Sequence, residues 1–399
     1  MAFLSMINRL VCIAAALLFF AGHTWADGSL NIVYLSRIDD PAYKLKKSYI
    51  GLKLKEKYSP IAGARAAMKE SAVPGRAAGL AFKLDELPLP QNADLLTTVT
   101  DQLARNPESV FILDLPLADM EMLGHRLSAN KQVVIFNVRQ KADELRTGKC
   151  SAALFHVIPN TSMLTDAVAQ YLGFMNWRSV LVLASNSEND KSVELAFMAS
   201  ARKFGLDIVD QRQFINSNDP REREKNEPRL LTGGGNYDVI FLADDEGEFG
   251  RYLAYNSYLP RPVVGTEELT AAAWHWTWER NGAPQLNQRI RKIAERNPSA
   301  QDWAAWAAVK SAVEAAIETG STNPAQLADA LRTDVVSIDM YKVGPGSYRP
   351  WDQQLRQPIL LHTHNAVIGT APFDGFLHRT NTFDTLGFDE AEKRCVLQR

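Results

Sequence analysis

Short runs of apolar residues alternate with amphipathic stretches along most of the chain. "LNIVYLS" (30–36) precedes the Ala-rich "SPIAGARAAMKESA", and "GLAFKLDEL" (79–87) precedes "NADLLTTVTDQLARN", where Leu96, Val99 and Leu103 fall at helical spacing. "SVFILDL" (109–115) precedes "ADMEMLGHRLSAN", with Met120, Leu123 and Leu127 on one face, and "QVVIFNV" (132–138) follows. Apolar runs alternating with amphipathic helices predict parallel βαβ units. The alternation restarts after Cys150. "ALFHVIP" leads to a helix capped by Asn160 or Thr161, "SVLVLAS" (179–185) leads to a helix closed by Gly205, and "LDIVDQRQF", "DVIFLA" and "RPVVGT" read as further strands.

From about residue 268 the pattern changes. "TAAAWHWTWERNGAPQLNQRIRKIAERNP" and "SAQDWAAWAAVKSAVEAAIETG" read as long helices, "NPAQLADALR" as a shorter one, and "QPILLHTHNAVIGTA" as one late strand. The alternating Trp274, Trp276 and Trp278 read as packing between elements or as flat walls of a pocket beside Tyr43. His362 and His364 share a face of the late strand and lack a third zinc ligand, which makes that strand a surface one.

The first 26 residues stand apart. Arg9, the apolar run from Leu10 to Gly22, and Thr24-Trp25-Ala26 read as a signal peptide cleaved after Ala26, so an exported protein is expected. The apolar run falls short of the roughly 20 residues a bilayer span needs. No stable membrane insertion is therefore expected. At 399 residues the chain is long enough for two or three domains, and 23% charged residues with a net charge of −2 give no basic stripe for nucleic acid. Without the signal peptide two cysteines remain, Cys150 and Cys395. After export they read as a disulfide, the alternative being two buried thiols.

In open parallel sheets ligands bind beyond the carboxyl ends of the strands, so the exit loops carry the candidate chemistry. Their acids are Asp39 and Asp40, Asp114 and Asp119, Glu188 and Asp190, and Asp244, Asp245 and Glu246. Acids from several exits meeting at one point require a cation, and Asp114, Asp244, Asp245 and Glu246 form the candidate set for a hard ion such as a lanthanide or calcium. The competing reading is a solvated loop in which Asp245 or Glu246 opens the helix "EFGRYLAY". No cofactor is required. Arg139 suits a carboxylate ligand, or else pairs with Asp143 or Glu144 on its own loop. The sequence holds no G-x-S-x-G, H-E-x-x-H or C-x-x-C motif, and an enzyme is not expected.

Two α/β lobes behind a signal peptide, followed by a helical section that returns to the first, resemble a type I periplasmic solute-binding protein of the branched-chain amino acid ABC transporter class. Four stretches, "CSAALFHVIPNTSMLTDAVAQYL", "WHWTWERNGAPQLNQRI", "PWDQQLRQPILL" and "NTFDTLGFDEAEKRC", resemble the branch associated with PQQ-dependent alcohol dehydrogenase systems. The resemblance implies two open, mostly parallel sheets flanked by helices and joined by a multi-strand hinge. It divides the chain into 27–150 plus about 268–335 for the first lobe, and 151–267 plus part of 336–399 for the second lobe and hinge. It implies a monomer that captures a small molecule or metal ion and delivers it to an inner-membrane permease, the alternative being a ligand-sensing or accessory protein of a periplasmic dehydrogenase. Amino-acid-binding relatives present hydroxyls at the first lobe's strand exits, whereas "DELPLPQN" and "LDLPLADM" have none. That difference points away from a leucine-like ligand.

Overall fold

The computed structural model describes residues 28–392 apart from 49–50, 129–131, 216 and 218, together with Leu397. The expected signal peptide and Cys395 lie outside the described residues. Five strands form the first sheet: β1 (Gly28–Arg37), β2 (Leu80–Leu89), β3 (Ser109–Asp114), β4 (Val134–Asn137) and β5 (Leu154–His156), all parallel in the order β2-β1-β3-β4-β5. β3 and β4 are buried along their whole length, so they lack the alternation of a one-sided sheet.

Helices cover both faces. α1 (Ile61–Ala77) packs against the long helix α9 (Ala300–Thr319), while α2 (Leu95–Arg105) and α3 (Leu117–Leu127) cover the opposite face. A capping box at Ser299 and Asp302 opens α9, and Gly320, at φ 60°, closes it. The helix is buried around most of its circumference, since α10 (Pro324–Arg332) packs beside it as well. Trp303 and Trp306 lie in this core.

β6 (Ser179–Ser185), β7 (Asp207–Phe214), β8 (Val239–Ala243), β9 (Val263–Gly265) and β10 (Leu269–Ala272) build the parallel part of the second sheet. α5 (Thr161–Phe174) and α6 (Glu188–Phe204) pack on one face of it. As expected, Asn160 caps α5 by accepting from the Met163 amide, and Gly205 ends α6 at φ 67°. Two antiparallel strands, β13 (Ile359–His362) and β14 (Val367–Ala371), complete the order β14-β13-β10-β9-β8-β6-β7. A short ladder of β11 (Ser347–Tyr348) and β12 (Leu355–Arg356) lies in the chain that leads back to β13.

Several expectations need correction. The stretch from 268 is not one long helix: Leu269–Ala272 is strand β10, and α8 begins only at Ala283 and runs to Ala294. Asn281 and Gly282 both take positive φ there, which a helix does not accommodate, and Pro284 stands in the helix's first turn. Trp274 and Trp278 are buried in the first lobe's core, with their indole N–H groups on Asn287 Oδ1 and the Tyr341 carbonyl. The late strand is a hairpin that turns between His362 and Val367. His362 is half-buried and stacks on His275 with ring centroids 4.0 Å apart.

The lobe boundaries also move. β5 pairs with β4, so the first lobe continues to His156, and β10 belongs to the second sheet. Among the described residues the lobes are joined by three crossovers, at 157–160, 273–282 and 333–358.

Candidate functional site

Strand exits from both sheets meet between the lobes. On the first-lobe side Asp114, at the end of β3, is fully buried. Tyr34 Oη donates to it at 2.9 Å and Ser59 Oγ at 3.2 Å, Tyr43 Oη donates to its other oxygen, and Arg139 Nη1 stands 3.5 Å away. Burial raises the Asp114 pKa in spite of these donors. Burial and the Asp114 charge together push the Tyr43 phenol up, so it remains a donor.

Asp40 caps a one-turn 3-10 helix (Pro41–Tyr43) by accepting from the Ala42 amide at 2.8 Å. It also takes Arg139 Nη1 at 2.6 Å and Nη2 at 3.4 Å. The expected pairing of Arg139 with Asp143 or Glu144 is thus replaced by one to a different loop. Asp143 is occupied by Asn160 and Ser162 at the start of α5. The guanidinium also lies 5.1 Å from the centre of the Tyr43 ring. Asp119 is held by Arg37 Nε at 2.8 Å, and Asp39 is exposed in a turn with φ 54°.

On the second-lobe side the four acids after β8 separate into different roles. Asp244 is buried and accepts from the amides of Gly247, at 3.0 Å, and Gly250, at 2.8 Å. Its bond from Gly250 ties it to the first residue of α7 (Gly250–Asn256), whose N-cap is Phe249 without a side-chain cap, so neither Asp245 nor Glu246 opens that helix as expected. Asp190 is buried too, bonded to Ser185 Oγ and accepting the Asp245 amide at 2.7 Å, while Glu188 stands in the first turn of α6. Glu248 pairs with Arg223.

Asp245 and Glu246 reach a segment between β1 and α1 that carries no strand or helix pattern in the sequence. Residues 44–57, "KLKKSYIGLKLKEK", carry six lysines, and those described there, all but 49–50, leave the first lobe as an arm folded on itself. Lys57 Nζ is 2.8 Å from Asp245, Lys46 Nζ 2.9 Å from Glu246, and Lys55 Nζ 2.7 Å from Glu267 in the second lobe. Lys55 also donates to the Thr266 carbonyl at 2.8 Å, and Arg251 Nη2 donates to the Lys53 carbonyl at 2.9 Å. Burial would raise the Asp245 pKa, but the ammonium groups of Lys57, Lys141 and Lys55 outweigh it and hold it down. The legible signal for the arm was the alternation of "KLKEK", which lacks the apolar face of a core element.

The cation set Asp114, Asp244, Asp245 and Glu246 therefore does not assemble. Each acid already has a partner of its own, and among the described residues no group of three or more His, Cys, Asp or Glu could hold a metal ion. Lys141 is different. It follows Arg139 on the β4 exit and is exposed, and desolvation, with the charges of Lys57 and Lys55, lowers its pKa against the pull of Asp245. Its ammonium makes no hydrogen bond or ion pair to any described residue.

Residues 118–231 match the model of the receptor family ligand binding region. A branched chain amino acid ABC transporter periplasmic ligand-binding protein from Burkholderia xenovorans is similar in structure, with a TM-score of 0.69, 13% identity and coverage of 93% of this chain and 100% of that one. The leucine-, isoleucine-, valine-, threonine- and alanine-binding protein of Brucella ovis, in a closed conformation, gives 0.64 at 17% identity over 86% of this chain and 92% of that one. A solute-binding protein of an ABC transporter from R. palustris in complex with benzoate gives 0.61 at 11% identity over 92% and 99%. No curated protein matches the sequence. The shared architecture is the two-lobed type I periplasmic binding fold. Among the described residues no helix is long and apolar enough to cross a membrane.

Proposed function

We propose that the chain is the binding component of an ABC transporter, that it captures a small organic anion between its lobes, and that it hands this ligand to a permease without chemical conversion. The observation that carries the ligand class is Lys141. Asp40, Asp245, Glu246 and Glu267 are each paired with a cation of the protein, whereas the Lys141 ammonium makes no hydrogen bond or ion pair to any described residue. A carboxylate placed there gains a charge-assisted bond, and the Tyr43 ring beside Arg139 offers a flat wall to the rest of the molecule. A lanthanide or calcium ion as cargo would have to displace lysines from Asp245 and Glu246 before finding ligands.

The test is a thermal-shift screen of the exported chain against benzoate, succinate, amino acids, PQQ, calcium and a lanthanide, since a ligand that binds only the folded state raises Tm. A carboxylate is expected to raise Tm in the natural protein and to lose at least tenfold in affinity in Lys141→Met. A rise with the metal ions alone would overturn the anion reading. The four stretches that resemble the PQQ-associated branch support a link to alcohol oxidation. Permease and ATPase genes beside this one are expected. A dehydrogenase gene alone would favour an accessory protein without transport.

A further inference from the structure

The third crossover contains the stretch "WDQQLRQP", and its three glutamines all grip the backbone around the first crossover. Gln353 Nε2 donates to the carbonyls of Ser151 at 3.1 Å and Leu154 at 2.7 Å, Gln354 Nε2 to those of His156 at 3.0 Å and Ile158 at 3.2 Å, and Gln357 Nε2 to that of Val157 at 2.7 Å. All three side chains are buried. Such amides satisfy carbonyls that the sheets leave open where the chain passes between lobes.

Arg146, in the short helix α4 (Glu144–Thr147), joins this clamp to the candidate site. It is 2% exposed. Its Nε donates to Gln354 Oε1 at 3.1 Å, its Nη2 to the Ile158 carbonyl at 2.9 Å, and its Nη1 to the carbonyls of Gln140 at 2.9 Å and Ala142 at 3.0 Å. Gln140 and Ala142 flank Lys141. One planar fork thus holds the first crossover, the third crossover and the loop that presents Lys141. Burial lowers the Arg146 pKa to about 10, so the group keeps its charge at neutral pH.

We infer that Arg146 is a positioning residue that couples the 139–142 loop to the hinge, so that rotation of the lobes and the placement of Lys141 change together. The inference takes that loop as ligand-bearing from the anion reading. The coupling itself is a property of the ligand-free protein. Rotation about the crossovers moves Ile158 relative to Gln354, and a rigid fork bonded to both must carry the Gln140 and Ala142 carbonyls with it. A point charge on a flexible stem would not.

Hydrogen exchange of the exported chain with no added ligand tests this, using Arg146→Lys, Gln354→Leu and the double variant. Each single variant is expected to speed exchange about tenfold or more in both 139–142 and 157–160, with β1 unchanged. The double variant is expected to add little beyond either single one, because both cut the same connection. Faster exchange confined to the neighbourhood of each substitution, or additive effects in 139–142, would overturn the inference. If Arg146→Lys does not fold, Gln354→Leu decides alone, and an unchanged 139–142 loop then refutes the coupling. A carboxylate screen that finds no ligand would count against the anion reading and leave this result standing.

Discussion

Asp40 keeps its charge in a place where burial would tend to remove it. The Arg139 hydrogen bond, the Ala42 amide and the Arg139 charge together outweigh desolvation and lower its pKa. A depressed carboxylate stabilises the fold at pH values above its unfolded pKa of about 3.9 and loses that contribution as pH falls through the folded value. His275 acts in the same direction. Burial, then the neighbouring His362 and His364, lower its pKa to about 3, so an unfolded histidine binds a proton in acid that the folded one refuses. Stability is therefore expected to fall steadily from about pH 6.5 towards pH 3. In Asp40→Asn the amide can still cap Ala42, but the ion pair to Arg139 is lost. That variant is expected to be about 1–2 kcal/mol less stable at pH 7 and to lose part of its acid slope. Urea unfolding across the pH range measures both. The exit acids themselves were legible in the sequence from strand position, but their partners were not: Asp114 is satisfied by Tyr34 and Ser59 from 80 and 55 residues away. Lys141 was hidden next to the more conspicuous Arg139.

Among the elements, α1 and α9 pack closely. Gly63 lies so close to α9 that a methyl group there would meet the Asp302 carbonyl oxygen at 1.8 Å. Alanines at 62, 64, 66 and 67 share one core with those at 304, 305, 307 and 308, so small side chains dominate where the two helices pack. Gly63→Ala is expected to cost about 1–3 kcal/mol or more, because backbone cannot yield as a side chain can. A lower urea midpoint with an unchanged slope would confirm it. Elements with one clear pattern, the continuous apolar runs of β3 and β6 and the helical spacing of α6, were readable from pattern alone. The segment 269–282 was not, since its strand is only four residues long and its tryptophans sit at a period of two beside a helix-like alanine run. The hairpin of β13 and β14 was likewise concealed, because nothing in "HTHNAV" but Asn365 marks a turn.

At the scale of the molecule, the lysine arm sets how the lobes meet. Its three cross-lobe ion pairs are half-exposed, so each contributes about 0–1 kcal/mol and weakens with salt. The radius of gyration from small-angle scattering is expected to grow between low ionic strength and about 1 M salt. The variant with Lys46, Lys55 and Lys57 all changed to Gln is expected to be larger at low salt and nearly insensitive to its addition. A natural protein that keeps one radius throughout would show that the arm does not hold the lobes together. The two-lobed plan was visible in the repetition of βαβ units, whereas the arm was not, because its acids lie about 190–210 residues away along the chain.

The arm also has a biochemical consequence. Its ends are anchored separately, one in strand β1 and the other in helix α1, both docked in the first lobe. A single trypsin cut after Lys53 would therefore sever no sheet and release no fragment. It would leave a nicked particle with both lobes folded and the latch between them undone, and the rate of that one cut would report how often the lobes come apart.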